Sequence, residues 1–281
     1  MHDAAGIILA GGQSSRMGTA KAALEWHGST LLRRVTGIVG RVVGGPVIVV
    51  RAPGQELPAL APAVEVVEDA REGRGPLQGL AAGLRAVGDR AAGAYVSSTD
   101  VPLLHPAFVR RIVGALGQDE DVVLPEIGGH PQPLAAAYRT RLLGVVEELI
   151  ASDRLRPAFV FERCRVLRLS ETALLTDPML ARLDPGLSSV ENLNNPDDYR
   201  QARALEPPEV NVERFGTLAP ESGPRRTVVA ACTLGAAAAA VGLTLDEHVV
   251  AALNGDQIIR DPELPLAAGD SVAFLAADAG G

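Results

Sequence analysis

The chain is poor in several features that would mark particular classes of protein. Its 281 residues include two cysteines, Cys164 and Cys232, and their wide separation suggests neither a metal site nor a disulfide framework. No apolar run approaches the ~20 residues of a membrane-spanning helix, and the short apolar run near the start is not preceded by the basic segment of a secretory signal. We therefore expect a protein of the reducing cytoplasm with no membrane partner.

Aromatic residues are also scarce, at 3% of the chain, and the net charge at pH 7 is −8. Both values disfavour nucleic acid as a partner, because phosphates attract basic surfaces and exposed bases stack on aromatic rings. Residues 206–281 carry 4 basic and 11 acidic side chains, so most of the negative charge lies in the last quarter. Such a segment is suited to docking on a basic protein surface, although solubility alone explains it equally well.

Lysine is almost absent. Lys21 is the one lysine among 26 basic residues, and the other 25 are arginines. An ammonium group is a compact charge on a flexible stem, whereas a guanidinium is a wide planar fork. In a chain with this bias, the single lysine indicates a position that arginine does not serve.

The composition that remains is that of a folded protein, with 47% hydrophobic and 21% charged residues. Short apolar segments alternate with segments of helical periodicity, which predicts an α/β fold, Rossmann-like, with a mostly parallel sheet. We expect strands over residues 5–10, 46–50, 64–67, 93–98 and 121–124, and helices over residues 20–39, 76–87 and 108–116.

The pattern changes after Leu205, where two prolines between glutamates form a stiff polar joint. Beyond it we expect an alanine-rich helix over residues 234–241 and a hairpin turn at Asn254-Gly255. Strands are expected over residues 210–215, 249–253 and 271–275. The sequence therefore predicts a first domain over residues 1–205 and a small α+β domain over residues 206–281.

The segment of residues 9–21, LAGGQSSRMGTAK, follows the first predicted strand. The adjacent glycines Gly11 and Gly12 allow several backbone N–H groups to approach one ligand. Arg16 and Lys21 add full positive charges, and the N-terminus of the predicted helix adds positive potential. The segment is thus typical of a polyphosphate cradle, although it matches neither the Walker nor the dinucleotide fingerprint.

Two carboxylates end predicted strands. Asp69 ends the third, ahead of a glycine-rich loop and the segment Gly75-Pro76-Leu77-Gln78-Gly79, at the edge where open α/β sheets bind ligands. Asp100 ends the fourth strand, and its carboxylate suits Mg²⁺, which commonly takes one or two carboxylates plus substrate phosphate. A helix cap at Asp69 and a turn residue at Asp100 are the structural alternatives.

Two later segments contain polar side chains of uncertain role. One is Gly128-Gly129-His130-Pro131, and a lone histidine is as often structural as functional. The other begins Asn192-Leu193-Asn194 and continues with a proline and two aspartates, which also favour the start of a helix. Ligand contact and capping both remain open for Asn192 and Asn194.

Taken together, these motifs resemble the nucleotidyltransferase superfamily, and within it the MobA-like molybdenum cofactor guanylyltransferases, over residues 5–203. The resemblance implies catalytic roles for Arg16, Lys21 and Asp100, with Mg²⁺ on Asp100. It also implies an acceptor, the molybdopterin cofactor, near His130, Asn192 and Asn194. The family commonly has an acidic residue before the lysine, and Ala20 at that position implies that Lys21 lacks an orienting salt bridge. GTP would contact the following residues: Leu9, Ala10, Gly11, Gly12, Lys21, Asp69, Pro76, Leu77 and Gly79.

Residues 209–281, which end in Gly280-Gly281, resemble the β-grasp (ubiquitin-like) sulfur carriers of the MoaD and ThiS kind. That resemblance implies that the carboxylate of Gly281 is adenylated and converted to a thiocarboxylate. The implied partner is an E1-like adenylating enzyme or the large subunit of molybdopterin synthase. A β-grasp domain kept only for docking is the alternative.

The expected activity is transfer of GMP from GTP to the phosphate of molybdopterin, with release of pyrophosphate. A cytidylyltransferase for the same cofactor and a phospholactate guanylyltransferase are alternatives with the same fold, and a nucleotide-binding scaffold without activity is a third. By resemblance, the segment at residues 75–79 favours guanine, whereas a fold by itself does not determine the acceptor.

Overall fold

The computed structural model describes residues 3–11, 21–69, 74–220, 222, 224–255 and 258–277. The chain divides into two compact units, one of residues 1–24 and 30–199 and one of residues 25–29 and 200–281. The second unit thus includes a short segment from early in the sequence, which the sequence did not indicate. The predicted boundary between residues 205 and 206 stays a prediction.

The strands and helices follow in chain order. The strands are β1 (Ala5–Leu9), β2 (Glu25–Trp26), β3 (Ser29–Thr30), β4 (Val47–Arg51), β5 (Val64–Glu68), β6 (Gly93–Ser98), β7 (Val122–Ile127), β8 (His130–Pro131), β9 (Ala135–Arg139), β10 (Val166–Ser170), β11 (Glu209–Arg214), β12 (Arg226–Ala230), β13 (Val249–Leu253), β14 (Ile258–Ile259) and β15 (Ser271–Ala276). The helices are α1 (Leu31–Gly40), α2 (Pro76–Val87), α3 (Pro106–Gly114), α4 (Leu143–Ala151), α5 (Ala158–Phe161), α6 (Glu171–Leu174), α7 (Pro178–Leu183), α8 (Pro196–Arg203) and α9 (Leu234–Ala240).

The first unit is built on one large sheet, with strand order β10-β7-β9-β6-β1-β4-β5 and β8 paired to β7. Its strands are parallel except for β8 and β9; β9 runs antiparallel to both β6 and β7. All five residues of β1 are buried, as expected for a central strand covered on both faces. The prediction of an α/β fold with a mostly parallel sheet is therefore confirmed.

The prediction of one helix over residues 20–39 is wrong for the first half of that range. The segment of residues 25–30 forms the β2–β3 hairpin, and α1 begins only at Leu31. His27 and Gly28 have φ angles of +45° and +90°, which form a tight turn and cannot belong to a helix. Thr30 then caps α1 by accepting a hydrogen bond from the backbone N–H of Arg33.

Helix α2 has the predicted bounds and packs closely on the sheet through glycines. A Cβ placed on Gly83 would lie 2.5 Å from Cγ2 of Ile7 on β1, and one on Gly79 would lie 3.1 Å from Cδ2 of Leu9. The helix approaches β1 this closely because both positions lack a side chain. It thereby fixes the position of the carboxyl end of β1.

The second unit contains a five-stranded sheet with order β12-β11-β15-β13-β14. Strand β11 is parallel to β15, and the other pairs are antiparallel. The alternation predicted for the first strand is confirmed, because Val210 and Val212 are buried in a core that also contains Phe274 and Leu234 of α9. Asn254 and Gly255 both have positive φ angles, as the predicted turn requires, but β13 and β14 pair Ala252 with Ile258, so the connection is longer than two residues.

Strands β12 and β14 of this unit were not predicted, and neither were β8, β9 and β10 of the first unit. Within the described ranges, no helix is long and apolar enough to cross a bilayer.

Candidate functional site

The candidate site lies where the carboxyl ends of the central strands meet. Strand β1 has β6 on one side and β4 on the other, with Leu9 opposite both Ser98 and Val50. The chain order changes direction across β1, and open α/β sheets bind ligands at such a point. Gly11 and Asp100 follow these strand ends and therefore lie at the same edge.

Lys21 and Asp100 form an ion pair at this edge. The Nζ of Lys21 donates a hydrogen bond of 2.6 Å to Oδ2 of Asp100, and the side chains are 23% and 17% exposed. The inference from Ala20 that Lys21 lacks an orienting salt bridge is therefore wrong. The carboxylate comes from a different strand, 79 positions along the chain, instead of from the neighbouring residue.

Asp100 retains capacity to bind a cation. Its Oδ1 is buried and has no hydrogen-bond partner within the described part of the chain. A buried carboxylate oxygen without a donor is costly, and a divalent cation with oxygen ligands would satisfy it. Among the described residues, no group of three histidine, cysteine or acidic side chains could hold a metal. A cation on Asp100 would therefore take most of its ligands from substrate phosphate and water.

The backbone at the start of the glycine loop is fixed by side chains from neighbouring strands. The hydroxyl of Thr99 donates to the carbonyl of Leu9 at 3.1 Å. The amide of Gln55 donates to the carbonyl of Ala10 at 3.0 Å, and its oxygen accepts from the N–H of Ala52 at 2.9 Å. The sequence analysis missed Gln55, whose one signal was its place in a Gly-containing turn after β4.

Gly11 lies where a side chain would be crowded. A Cβ at this position would lie 3.3 Å from the backbone nitrogen of Ala52. The glycine is exposed on its other side, so its backbone is open to a ligand. Gly12 and Arg16 lie outside the described residues.

Of the residues expected around the nucleotide base, some lie at the edge of the sheet and others pack into the core. Asp69 follows β5 at the same edge of the sheet, where its N–H donates to the carbonyl of Arg51 at 2.8 Å. Pro76 occupies the first turn of α2, and Gly79 packs on Leu9. Leu77 is fully buried in the core, so its side chain stabilises the fold and only its backbone is available to a ligand.

The segment around Asn192 runs beside Asp100. The N–H of Leu193 donates to the carbonyl of Asp100 at 2.9 Å, and the hydroxyl of Ser98 donates to Oδ1 of Asn192 at 3.4 Å. Asn192 and Asn194 are both exposed. The structure thus brings Asn192 to the strand end that carries Asp100.

The cap of α8 is formed by other residues. Oδ1 of Asn195 accepts from the N–H groups of Asp197 and Asp198, and Oδ2 of Asp198 accepts from the N–H groups of Asn194 and Asn195. This reciprocal arrangement is a capping box. The side chains of Asn192 and Asn194 do not cap α8; their amides donate to the carbonyls of Val190 at 3.2 Å and of Asn192 at 3.3 Å.

His130 is exposed on β8, just after a turn formed by Gly128 and Gly129, both with positive φ. The N–H of Gly128 donates to Oε1 of Glu171 at 2.7 Å, which fixes the turn. Strand β7 runs parallel to β6 because β9 lies antiparallel between them. The carboxyl ends of β6 and β7, and hence Asp100 and the turn before His130, thus lie at the same edge of the sheet.

A cavity of about 570 Å³ opens beside the His130 hairpin. Two of its side chains are arginines, which bind anionic groups. Its lining was not predicted from the sequence and consists of Pro131, Pro133, Arg156, Pro157, Ala158, Phe161, Glu162 and Arg168.

Comparison with known proteins relates this chain to a family of nucleotidyltransferases. A family described as "MobA-like NTP transferase domain" matches residues 6–166. A protein of Desulfosudis oleivorans named molybdenum cofactor guanylyltransferase is 34% identical over 205 residues, covering 73% of this chain and 96% of that protein. A protein of Mycobacterium tuberculosis named probable molybdenum cofactor guanylyltransferase is 37% identical over 169 residues, covering 59% of this chain and 82% of that protein.

A solved structure supports the fold. The molybdopterin-guanine dinucleotide biosynthesis protein A of Archaeoglobus fulgidus aligns with a TM-score of 0.56 and 22% identity, over 71% of this chain and 96% of that protein. The family match spans more than half of the chain, and the relative from D. oleivorans is matched over nearly its whole length. The chain therefore belongs to the MobA-like NTP transferase domain family of nucleotidyltransferases.

Proposed function

We propose that the protein transfers GMP from GTP to the phosphate of molybdopterin, or of the molybdenum cofactor, and releases pyrophosphate. The observation that carries the proposal is the pairing of Lys21 with Asp100 at the end of β1 and β6, beside the glycine loop. It places one cation for phosphate and one carboxylate for a metal at the same point. The names of the relatives support guanine as the base and molybdopterin as the acceptor.

The proposed reaction needs no general base. An oxygen of the acceptor phosphate, already ionised near pH 7, attacks the α-phosphorus of GTP and forms the new P–O bond. The bond between the α-phosphorus and the bridging oxygen of the β-phosphate breaks, and pyrophosphate leaves with its electron pair. The protein therefore has to align two anions and neutralise the developing charge.

Lys21 and Arg16 are the proposed ligands of the triphosphate. In the structure, Lys21 is neutralised by Asp100. We infer that Asp100 would hold a divalent cation, proposed to be Mg²⁺, in the GTP complex, and that Lys21 would then turn towards the phosphates. The cation would supply neutralisation of phosphate charge, with Asp100 as its protein ligand.

The remaining predicted residues divide between the two substrates in this proposal. Asp69 and the first turn of α2 lie on the β5 side of the site and would recognise the base. Asn192, Asn194 and His130 would contact the acceptor.

The test is pyrophosphate release by the purified full chain with Mg²⁺, molybdopterin and either GTP or CTP. We expect release with GTP, and a loss of about 10²-fold to 10³-fold in rate for Lys21→Ala, as for other groups that stabilise transition-state charge. Arg85→Ala is the control, because Arg85 pairs with Glu147 on the surface of α2 and α4. Release with CTP alone would refute the choice of base, and release with neither would refute the transfer itself.

We further propose that residues 209–281 form a β-grasp domain that acts as a sulfur carrier. The strand order β12-β11-β15-β13-β14, the parallel pair of β11 and β15 and the single helix α9 within the described part of this segment support the fold. Gly280 and Gly281, which would carry the sulfur, lie outside the described residues.

This second proposal is tested by the mass of the intact chain. In the proposed sequence, the carboxylate of Gly281 attacks the α-phosphorus of ATP, pyrophosphate leaves, and a sulfide then displaces AMP. Incubation with ATP, a sulfide donor and an E1-like adenylating enzyme should replace one terminal oxygen by sulfur. A chain that lacks Gly281 is the control, and an unchanged mass in the full chain would leave the domain as a docking module.

A further inference from the structure

Residues 25–29 of the β2–β3 hairpin belong to the second unit although they closely follow the lysine of the candidate site. Residues 25–29 group with residues 200–281, while Lys21 belongs to the first unit. Lys21 begins a single 3₁₀ turn that ends at Ala23, and the N–H of Leu24 donates to the carbonyl of Lys21 at 3.1 Å. A displacement of the hairpin would therefore be transmitted to Lys21 through a short and internally bonded segment.

Charged side chains attach the hairpin to the remainder of its unit. Oε2 of Glu25 accepts a hydrogen bond from the guanidinium of Arg203, at the end of α8, and the same guanidinium contacts Nδ1 of His27 at 3.4 Å. The hydroxyl of Ser29 donates to Oε2 of Glu263 at 3.0 Å. Both ends of the hairpin are thus held by residues from the C-terminal part of the chain.

Glu25 has a second role within the hairpin. Its Oε1 accepts from the N–H of Gly28 at 2.8 Å and so closes the turn, while Oε2 faces Arg203. The side chain of Trp26 between these contacts is 3% exposed. A loss of the attachment would expose Trp26, which is the single tryptophan of the chain.

We propose that Arg203 and Glu263 are positioning residues for nucleotidyl transfer, which hold the β2–β3 hairpin so that Lys21 is correctly placed at Asp100. The C-terminal unit then has a function in the transfer reaction that does not depend on sulfur chemistry. This inference rests on the proposed function, because it assumes that Lys21 binds the triphosphate.

The test compares charge reversals in the full-length protein, namely Arg203→Glu, Glu25→Arg and the double variant. Each single reversal should lower kcat for GTP-dependent pyrophosphate release by about tenfold, since small displacements of a catalytic group are costly. The tryptophan emission should shift to longer wavelength in the same variants. The double variant restores an opposite pair but leaves the N–H of Gly28 without its Glu25 acceptor, so it should recover part of the lost rate and exceed both single variants.

Two further variants separate positioning from general destabilisation. Glu263→Leu keeps the approximate size of the side chain but cannot accept the hydrogen bond from Ser29, and it should lower kcat without unfolding the unit. Arg226→Glu reverses a charge that pairs with Glu213 at 3.8 Å on the sheet of the same unit, and it should leave both kcat and emission unchanged.

The outcomes are distinguishable from failure of the proposed function. A wild-type chain that binds GTP without transferring it would contradict the proposed function alone, and the same variants would then be judged by their Kd for GTP, expected to rise about tenfold. Single reversals that expose Trp26 but leave kcat and Kd within twofold of wild type would overturn the inference. Reversals that leave the emission unchanged would overturn it as well.

Discussion

At the scale of single residues, the pairing of Lys21 with Asp100 gives a physical reason for the one lysine in a chain otherwise basic through arginine. The ammonium reaches a carboxylate on a neighbouring strand at 2.6 Å while both side chains are mostly buried. A guanidinium is wider and planar, so it does not occupy the same space. The pair also means that each charge shields the other until substrate arrives.

Asp100→Asn should separate metal dependence from nucleotide affinity. The amide cannot take over the role of a charged metal ligand, so we expect kcat to fall about 10²-fold to 10³-fold and the half-saturating metal concentration to rise. Lys21 loses the carboxylate of Asp100, which competes with phosphate for its ammonium group, so GTP should bind at least as tightly in the absence of metal. Metal titrations of turnover and calorimetric titration with GTP measure the two effects, and weaker GTP binding without metal would contradict this account.

The sequence predicted Lys21 and Asp100 as site residues but not that they form an ion pair. Local patterns identify a strand end or a glycine loop, whereas a contact between positions 79 apart depends on which strands are neighbours. Gln55 was missed for the same reason, because its amide acts on a carbonyl 45 positions away.

At the scale of elements, the closeness of α2 to β1 makes Gly83 sensitive to substitution. Gly83→Ala gains about 1 kcal/mol of helix propensity, but its Cβ would lie 2.5 Å from a branched and fully buried isoleucine. Crowding of this kind costs about 1–3 kcal/mol, so we expect a net loss of stability. Gly144→Ala in α4 meets no atom within 4 Å and should stabilise instead. Denaturant midpoints measure both effects. A change in stability of the same sign in both variants would contradict the packing argument.

The side chain of Asp121, just before β7, accepts hydrogen bonds from the N–H of Arg165 and the side chain of Arg141. Its contribution to the free energy of unfolding should depend on pH. Burial raises the pKa of its carboxyl group, but hydrogen bonds from the backbone of Arg165 and the side chain of Arg141 outweigh this, and the net pKa is lowered. A lowered folded-state pKa stabilises the protein above the unfolded pKa, and the contribution is lost as the pH falls through the folded value.

Asp121→Asn should therefore lower stability by about 1–2 kcal/mol at neutral pH. The difference from wild type should shrink as the pH falls below about 4, where the unfolded carboxyl group is protonated. Denaturant unfolding over this pH range measures the difference. Asp119→Asn is the control, because Asp119 is 85% exposed. A difference that is constant with pH would contradict the role given to the carboxylate.

Local patterns predicted the elements best where they were long and regular, as in α2 and β6. The failure at residues 20–30 has a local cause, since the apolar spacing continued through Trp26 while the turn depended on His27 adopting a positive φ. Residues other than glycine are uncommon in that conformation, although histidine adopts it more often than most, so the local signal for the turn was weak. The antiparallel strand β9 depends on pairing with β6 and β7, which its own residues do not reveal.

At the scale of the whole molecule, the protein combines a nucleotidyltransferase unit with a second unit that has its own sheet and core. The sequence predicts two domains with a boundary between residues 205 and 206, and this boundary stays a prediction. It did not predict that a hairpin from early in the sequence groups with the second unit, because nothing in residues 25–29 marks that association.

The most direct test of the central claim follows each phosphate of GTP. The full chain would be incubated with Mg²⁺, molybdopterin and GTP radiolabelled at either the α- or the γ-phosphate. The account predicts that the α-label enters the molybdopterin product and that the γ-label appears only in pyrophosphate. Label from the γ-phosphate in the product, or release of inorganic phosphate instead of pyrophosphate, would contradict nucleotidyl transfer.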